Sequence, residues 1–176
     1  WKLKLKNSEK ITGLDASLFD YNNDGYLDIL IAGEIKNSIK NSTGLHLYYS
    51  NRKGHFINAT AIIPDKLGSL KQVEHSDFDD DGDLDLFLTT ISDSIKLLRN
   101  EGGNINNHLK LRLKGLRTGS GKNNYFGIGA KVEVKAGDLY QTQYLDRPTI
   151  TFGLGNNTKA DVLRVLWTNG VPQNHF

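Results

Sequence analysis

Two acidic segments with the same spacing are the residues of this sequence best suited to chemistry. They read DYNNDGYLD from Asp20 to Asp28 and DFDDDGDLD from Asp77 to Asp85. Side chains at positions one, three and five can converge on one point if the backbone wraps around it. Glycine at position six permits the positive φ that such a wrap needs. Several hard oxygen ligands at about 2.3–2.6 Å are what Ca²⁺ prefers, so the spacing predicts two calcium sites.

The predicted ligands are the oxygens at positions one, three, five, seven and nine. The residue type at position seven differs between the copies, so we expect the main-chain carbonyl at this position to be the metal ligand. Position nine must close each site, because position twelve is Ile31 or Leu88 and not the bidentate Glu of an EF-hand. The predicted ligands are Asp20, Asn22, Asp24, Tyr26 and Asp28 in the first segment, and Asp77, Asp79, Asp81, Asp83 and Asp85 in the second.

The alternative interpretation is a pair of solvated acidic turns. Residues 74–85 contain seven acidic side chains, and each close pair of carboxylates costs about 1 kcal/mol or more without a cation. Solvated turns also leave the repeated spacing of the oxygens unexplained. An apolar strand follows each segment at once, which predicts a structural ion that fixes a turn to the start of a strand.

The two segments belong to a longer repeat. Residues 20–31 align without gaps to residues 77–88, and each copy leads into a second apolar strand that ends in Asn, at Asn51 and Asn100. Copy one is longer by 8 residues, which we assign to the polar connection 33–44. A period of this size is typical of stacked or radially arranged β units. Two units are too few to close a propeller, so we expect the chain to be a piece of a longer protein.

Two-residue alternation of apolar side chains is common along the chain and predicts an all-β protein. A Gly/Asn-rich stretch at 101–107 coincides with a change of charge. Residues 1–103 carry a net charge of −4, and residues 104–176 carry +6. We therefore predict two blade-like units, at about 1–60 and 61–103, followed by a compact antiparallel β domain at 104–176.

The first part resembles the FG-GAP/VCBS repeats of integrin-α-type β-propellers. The resemblance is carried by the acidic loop, the apolar strand after it, and a second strand that leads to Asn, a Gly-bearing turn and Phe, as in YYSNRKGHF at 48–56. Copy two matches this pattern as far as LLRNEGG and then departs from it. The departure suggests that copy two is the last repeat.

Residues from about 104 to 176 resemble the ASPIC/UnbV domain, which follows such repeats in cartilage acidic protein and in bacterial exported proteins. The matching stretches are NNHLKLRLKG at 106–115, FGIGAKVEV at 126–134 and ITFGLGNNTKADVLRVLWTNG at 150–170. Thr168 stands where the family usually has Pro. The resemblance implies an exported or cell-surface protein linked to adhesion and assembly, without catalytic activity.

Other chemistry finds less support in the sequence. The chain has no Cys, which excludes disulfides, thiolate metal sites and Cys nucleophiles. Its histidines form no HExxH motif, and His75 beside the second loop is the one that most needs a structural explanation. The stretch 118–124 fails the spacing of a phosphate loop. Trp1, Trp167 and the pair Tyr48 and Tyr49 could stack on sugars, although strand aromatics are more often part of a core.

These observations predict a non-catalytic, calcium-stabilised module that binds a protein or glycan partner or joins a larger assembly. We expect it to be exported or at the cell surface, with no nucleic-acid partner and no membrane span. Two alternatives remain open. The chain could be an accessory region of an exported carbohydrate-active enzyme whose catalytic residues lie elsewhere, or a structural subunit of an extracellular complex.

Overall fold

Short strands separated by turns rich in Gly, Asn and Asp give the described residues an all-β architecture, as predicted. The computed structural model describes residues 10–36, 41–64, 67–116, 118 and 123–176. The sequence divides into two compact units. The first comprises residues 1–21 and 26–101, and the second comprises 22–25 and 102–176. Trp1 and the phosphate-loop-like stretch from 119 to 122 lie outside the described residues.

Two antiparallel sheets build the first unit. One has the order β1-β2-β3-β4 and the other has the order β5-β6-β7. A single turn of 3-10 helix at Thr60–Ile62 follows the first sheet. The strands are β1 Lys10–Phe19, β2 Asp28–Lys36, β3 Asn41–Ser50, β4 Phe56–Asn58, β5 Leu70–Ser76, β6 Asp85–Thr90 and β7 Ile95–Leu98.

The extra residues of copy one lengthen a hairpin, where the sequence suggested an open polar connection. Strands β2 and β3 stay paired as far as Lys36 and Asn41, beyond the Gly33–Gly44 pair.

The two sheets of the first unit share one core. Strands β2 and β6 are equivalent in the repeat, but they turn opposite faces toward this core. Leu30 and Ala32 of β2 contribute to this core, and so do Leu86 and Leu88 of β6. The sequence alignment pairs Leu30 with Phe87, which lies on the other face of its strand. Successive copies therefore stack in the same sense, face to back, as expected of repeated β units.

In the second unit a 3-10 turn at Gly103–Ile105 precedes six antiparallel strands. They form a two-stranded sheet, β11-β8, and a four-stranded sheet of order β10-β9-β12-β13. The core lies between them and includes Val132, Val134 and Phe152, all fully buried. The strands are β8 Asn107–Arg112, β9 Lys131–Ala136, β10 Leu139–Tyr144, β11 Thr149–Gly155, β12 Val162–Leu166 and β13 Pro172–His175.

None of the helices that the structure describes is long and apolar enough to cross a bilayer.

Candidate metal centre

The second acidic loop brings three carboxylates together. Asp77, Asp79 and Asp81 each offer one oxygen, and these oxygens all lie within 4.8 Å of one another. The residues are half-buried, with side-chain exposures of 20% for Asp79 and 23% for Asp81. Positions one, three and five therefore converge in the structure as the sequence predicts.

The backbone of this loop winds through two residues with positive φ. Gly82 at position six has φ 99°, which confirms the conformation predicted for that glycine. Asp80 at position four has φ 70°, which the sequence analysis did not foresee. Asp and Asn adopt this left-handed conformation more readily than most residues. The first loop follows the same path, with Asn23 at φ 56° and Gly25 at φ 88°.

Hydrogen bonds inside the second loop hold two of the three carboxylates in place, those of Asp79 and Asp81. The Asp81 amide donates to Asp79 Oδ1 at 3.4 Å, and the Asp83 amide donates to Asp81 Oδ1 at 3.2 Å. Burial alone would raise the pKa of the Asp81 carboxyl. Hydrogen bonds from the backbone and side chain of Asp83, together with the charge of Arg99, outweigh burial and hold that pKa below its usual value. The lowered pKa favours the ionised form of Asp81, which is the form that a metal ligand must have.

Arg99 lies directly against the acidic cluster. Its Nε is 2.5 Å from Asp79 Oδ2 and 3.0 Å from Glu101 Oε1, and its Nη2 is 3.9 Å from Asp81 Oδ2. The guanidinium neutralises part of the carboxylate charge when no other cation does so. It is also a positive charge that a metal ion at this point has to tolerate or displace.

The carboxylate at position nine accepts hydrogen bonds from the backbone, a role that the sequence analysis missed. Asp85 is only 1% exposed, and both of its carboxylate oxygens accept backbone hydrogen bonds. Phe78 N donates to Oδ2 at 3.0 Å, and Asn100 N donates to Oδ1 at 2.8 Å. The carboxylate thus ties the start of the loop to the chain that leaves β7, without any ion.

The first copy repeats this arrangement. Asp28, also 1% exposed, accepts from Tyr21 N at 3.1 Å and from Ser50 N at 2.8 Å. The amide equivalent to that of Asn100 is therefore the amide of Ser50, one residue earlier than the Asn51 suggested by sequence alignment. Asn51 instead accepts from the amides of Lys53 and His55 within its own turn.

Position seven of the second copy has a buried acidic side chain, which the sequence analysis did not foresee. The sequence assigned only the main-chain carbonyl of Asp83 to the site, yet this residue is fully buried. Its side chain shares a hydrogen bond with Asp81. In the first copy, Tyr26 is half-buried, and the guanidinium Cζ of Arg52 lies 5.4 Å from its ring centroid. The two copies are thus chemically unequal at this position.

The residues of the first loop divide between the two units. Asp20, Tyr26 and Asp28 belong to the first, and Asn22 and Asp24 belong to the second. Within the second unit, the Asp24 amide donates to Asn22 Oδ1 at 3.3 Å, the same bond that Asp81 makes with Asp79.

Asn23, which the sequence analysis did not select, is a buried anchor of the second unit. It is 2% exposed, its Nδ2 donates to Gly103 O at 3.2 Å, and its carbonyl accepts from Gly155 N at 2.9 Å. Gly25 is close to its neighbours here, because a Cβ on it would lie 2.7 Å from a methyl carbon of Leu139. The signal for this role was available in the sequence, since Asn at position four combines tolerance of positive φ with an amide side chain.

Other residues selected from the sequence have structural roles. The His75 ring stacks on Phe19 with centroids 5.3 Å apart, and its Nδ1 lies 3.0 Å from Ser17 Oγ. Tyr48 is buried at 4% exposure, and Trp167 packs against the core of the second unit. The suggestion that Tyr48 stacks on sugars is therefore wrong, because its ring is covered. Trp167 and Tyr49 are partly exposed, so the same suggestion for these two residues stays a prediction.

A comparison with protein families finds a match in the second unit, over the part of the chain that contains strands β9 to β13. Residues 119–175 match the family described as ASPIC and UnbV. This supports the resemblance seen in the sequence for the second unit. No curated protein matches the chain. The FG-GAP/VCBS resemblance of the first unit stays a prediction.

Proposed function

We propose that the second acidic loop binds one calcium ion, and that the chain is a non-catalytic, calcium-stabilised binding module of an exported protein. The observation that carries the proposal is the convergence of Asp77, Asp79 and Asp81 on one point. The ion would be held by these three carboxylates, with the carbonyl of Asp83 predicted as a further ligand. The positive charge of the ion would relieve the electrostatic repulsion among the three carboxylates.

The geometry of the loop suits this ion. Two oxygens bound to one calcium ion at 2.3–2.6 Å lie at most about 4.6–5.2 Å apart, so three oxygens within 4.8 Å of one another are compatible with a shared ion. Magnesium needs a tighter octahedron at about 2.0–2.1 Å and usually keeps its waters. A loop that offers so many protein oxygens therefore favours calcium.

A structural role for the ion follows from the use of Asp85. Strand β6 begins at this residue, and its carboxylate is engaged by two backbone amides. Calcium in the loop would add a second constraint to these hydrogen bonds, at the turn that precedes strand β6. The matching bonds of Asp28 and Asp85 support the view that the first unit consists of two FG-GAP/VCBS repeats. Binding of a second ion by the first loop stays a prediction.

Calcium titration with a thermal melt tests the proposal. We expect calcium to raise the melting temperature of the first unit by several degrees, since an ion at 100 times its Kd stabilises by about 2.7 kcal/mol. Magnesium at equal ionic strength is the control and should shift the melt much less. An identical melt in calcium and in chelator would contradict the proposal.

Replacement of Arg99 gives a second, opposite-signed prediction. The Arg99→Gln substitution removes a positive charge that lies against Asp79 and Asp81. We expect calcium affinity to rise by about threefold to tenfold at low salt, because one unit of repulsion near the ion is lost. The stability of the calcium-free protein should fall slightly. Isothermal titration at two salt concentrations measures the gain, which should shrink as salt increases.

Arg147→Gln is the matched control for that experiment. Arg147 pairs with its neighbour Asp146 in the second unit and is far in sequence from the loop. Its replacement should leave calcium affinity unchanged. An unchanged affinity in Arg99→Gln as well would mean that the guanidinium moves away before the ion binds.

A further inference from the structure

The outer face of the four-stranded sheet carries two exposed tyrosines on its edge strand. Tyr140 and Tyr144 of β10 are 65% and 67% exposed. Their neighbours Gln141 and Gln143 point to the opposite face, where their Nε2 atoms donate to Gly153 O at 2.6 Å and to Thr151 O at 2.9 Å. These bonds tie β10 to β11, so the strand cannot slip and the tyrosines remain on the outer face.

Cationic side chains accompany the two rings. Tyr140 pairs with Lys135 and Tyr144 pairs with Lys131 on the neighbouring strand β9, so each ring has a lysine directly beside it. Arg164 of β12 lies one strand further on, opposite Glu133. Residues at paired positions share a face, which makes this a continuous surface of aromatic and basic groups.

Glu133 is the single acid in this group, and its charge is already engaged. Its Oε1 lies 2.5 Å from Lys131 Nζ, and its Oε2 lies 3.7 Å from Arg164 Nη1. The Lys131 hydrogen bond, with another from Tyr140, lowers the pKa of the Glu133 carboxyl. The surface therefore has a net positive charge. Lys135 is exposed and makes no salt bridge with any other residue that the structure describes.

We propose that this face binds an acidic polysaccharide, a chain of sugars that bear carboxylates. Sugar rings present apolar C–H faces that stack on exposed aromatic rings such as Tyr140 and Tyr144. The carboxylates of the sugars accept charge-assisted hydrogen bonds from the N–H groups of Lys135 and Arg164. The two tyrosines are four residues apart on one strand, which sets them about 13 Å from each other along an extended ligand.

The position of Glu133 favours a sugar chain over a nucleic acid. It lies between the two tyrosine rows, where a polymer that contacts both rings must pass. A carboxylate can only accept hydrogen bonds, and sugar hydroxyls supply donors throughout the chain. A uronate unit can turn its hydroxyls toward Glu133 and its carboxylate toward Lys135 or Arg164, whereas a DNA backbone offers Glu133 phosphate charge and no hydroxyl donor. The inference deepens the proposed function of a binding module, on which it rests, and it uses residues outside the acidic loops.

Binding of short oligogalacturonates, measured by isothermal titration, tests the assignment. We expect Tyr140→Ala and Tyr144→Ala each to weaken binding by roughly fivefold to tenfold, since each removes one stacking ring. Lys135→Ala should weaken binding and make it less sensitive to salt. Lys114→Ala is the control, because Lys114 is exposed but lies outside this sheet, and it should bind as the wild type does.

Uncharged dextran oligomers and single-stranded oligothymidylate are measured in parallel. Dextran that binds as well as oligogalacturonate, or oligothymidylate that binds more tightly and loses affinity in the tyrosine variants, would overturn the proposal. Equal affinity of the wild type and both tyrosine variants would overturn it as well. All titrations are repeated in chelator and in calcium. If the wild type does not bind oligogalacturonate but calcium still raises its melting temperature, only this inference is contradicted. If it binds oligogalacturonate but calcium does not shift its melting temperature, only the calcium proposal is contradicted.

Discussion

Asp85→Ala is expected to lower the free energy of unfolding of the first unit by about 2–4 kcal/mol. The carboxylate is 1% exposed and accepts two backbone hydrogen bonds, from Phe78 N and Asn100 N. Hydrogen bonds to a charged group are worth more than neutral ones, and their removal leaves two backbone donors without an acceptor in a poorly solvated place. The amides of Phe78 and Asn100 should also exchange with deuterium markedly faster in this variant.

The control for this prediction is Asp93→Asn. Asp93 has a side-chain exposure of 79% and a φ of 58°, a conformation that Asn tolerates well, so its replacement should change stability by less than about 0.5 kcal/mol. Denaturant unfolding in chelator is the decisive measurement, because it separates the hydrogen-bonding role of Asp85 from any role as a metal ligand. A variant that is destabilised only when calcium is present would show that Asp85 is a ligand and that its amide bonds contribute little.

Local features of the loops could be predicted from the sequence, because they depend on neighbouring residues. The start of a strand at Asp28 and Asp85 follows from the apolar run behind each loop. The positive φ of Gly82 follows from the absence of a Cβ at the sharpest point of the turn. The convergence of positions one, three and five follows from that turn. None of these features requires knowledge of a distant residue.

The function of position nine could not be predicted, because its partners are distant in sequence. Asp28 accepts a hydrogen bond from the amide of Ser50, 22 residues away, and Asp85 accepts one from the amide of Asn100, 15 residues away. The two copies differ in length after the loop, yet each brings a backbone amide back to the carboxylate at position nine. The shared Asn at the end of each copy suggested a wrong equivalence for the same reason: hydrogen-bond register, not residue identity, decides which amide reaches the carboxylate.

The buried face of each strand was equally hidden from sequence reasoning. The segments that follow the two loops, ILIAG and LFLTT, are apolar on both faces, so alternation does not tell which face is covered. Leu30 and Leu86 are both buried, although they occupy positions of opposite parity in the repeat. Only the stacking of one sheet on the next assigns the faces. A strand that is apolar on both sides is what a stacked repeat needs, since each copy covers its neighbour with the opposite face.

The calcium proposal makes its sharpest prediction at two adjacent aspartates. Asp81→Asn is expected to weaken calcium binding by about tenfold to a hundredfold, because a charged ligand at position five becomes a neutral one. Asp80→Asn should change affinity by less than about threefold, because Asp80 is exposed at position four and is absent from the converging group. Both variants lose one negative charge, so the comparison holds the net charge of the loop constant.

The choice of Asn matters for this pair of variants. Asp80 has a φ of 70°, and Ala in that conformation would strain the loop and weaken binding for a reason unrelated to ligands. Asn avoids the strain, as Asn23 shows at the same position of the first loop with a φ of 56°. Isothermal titration gives the two affinities directly. Equal losses in Asp80→Asn and Asp81→Asn would mean that the loop attracts calcium only through its total charge, and that positions one, three and five do not form a coordination site.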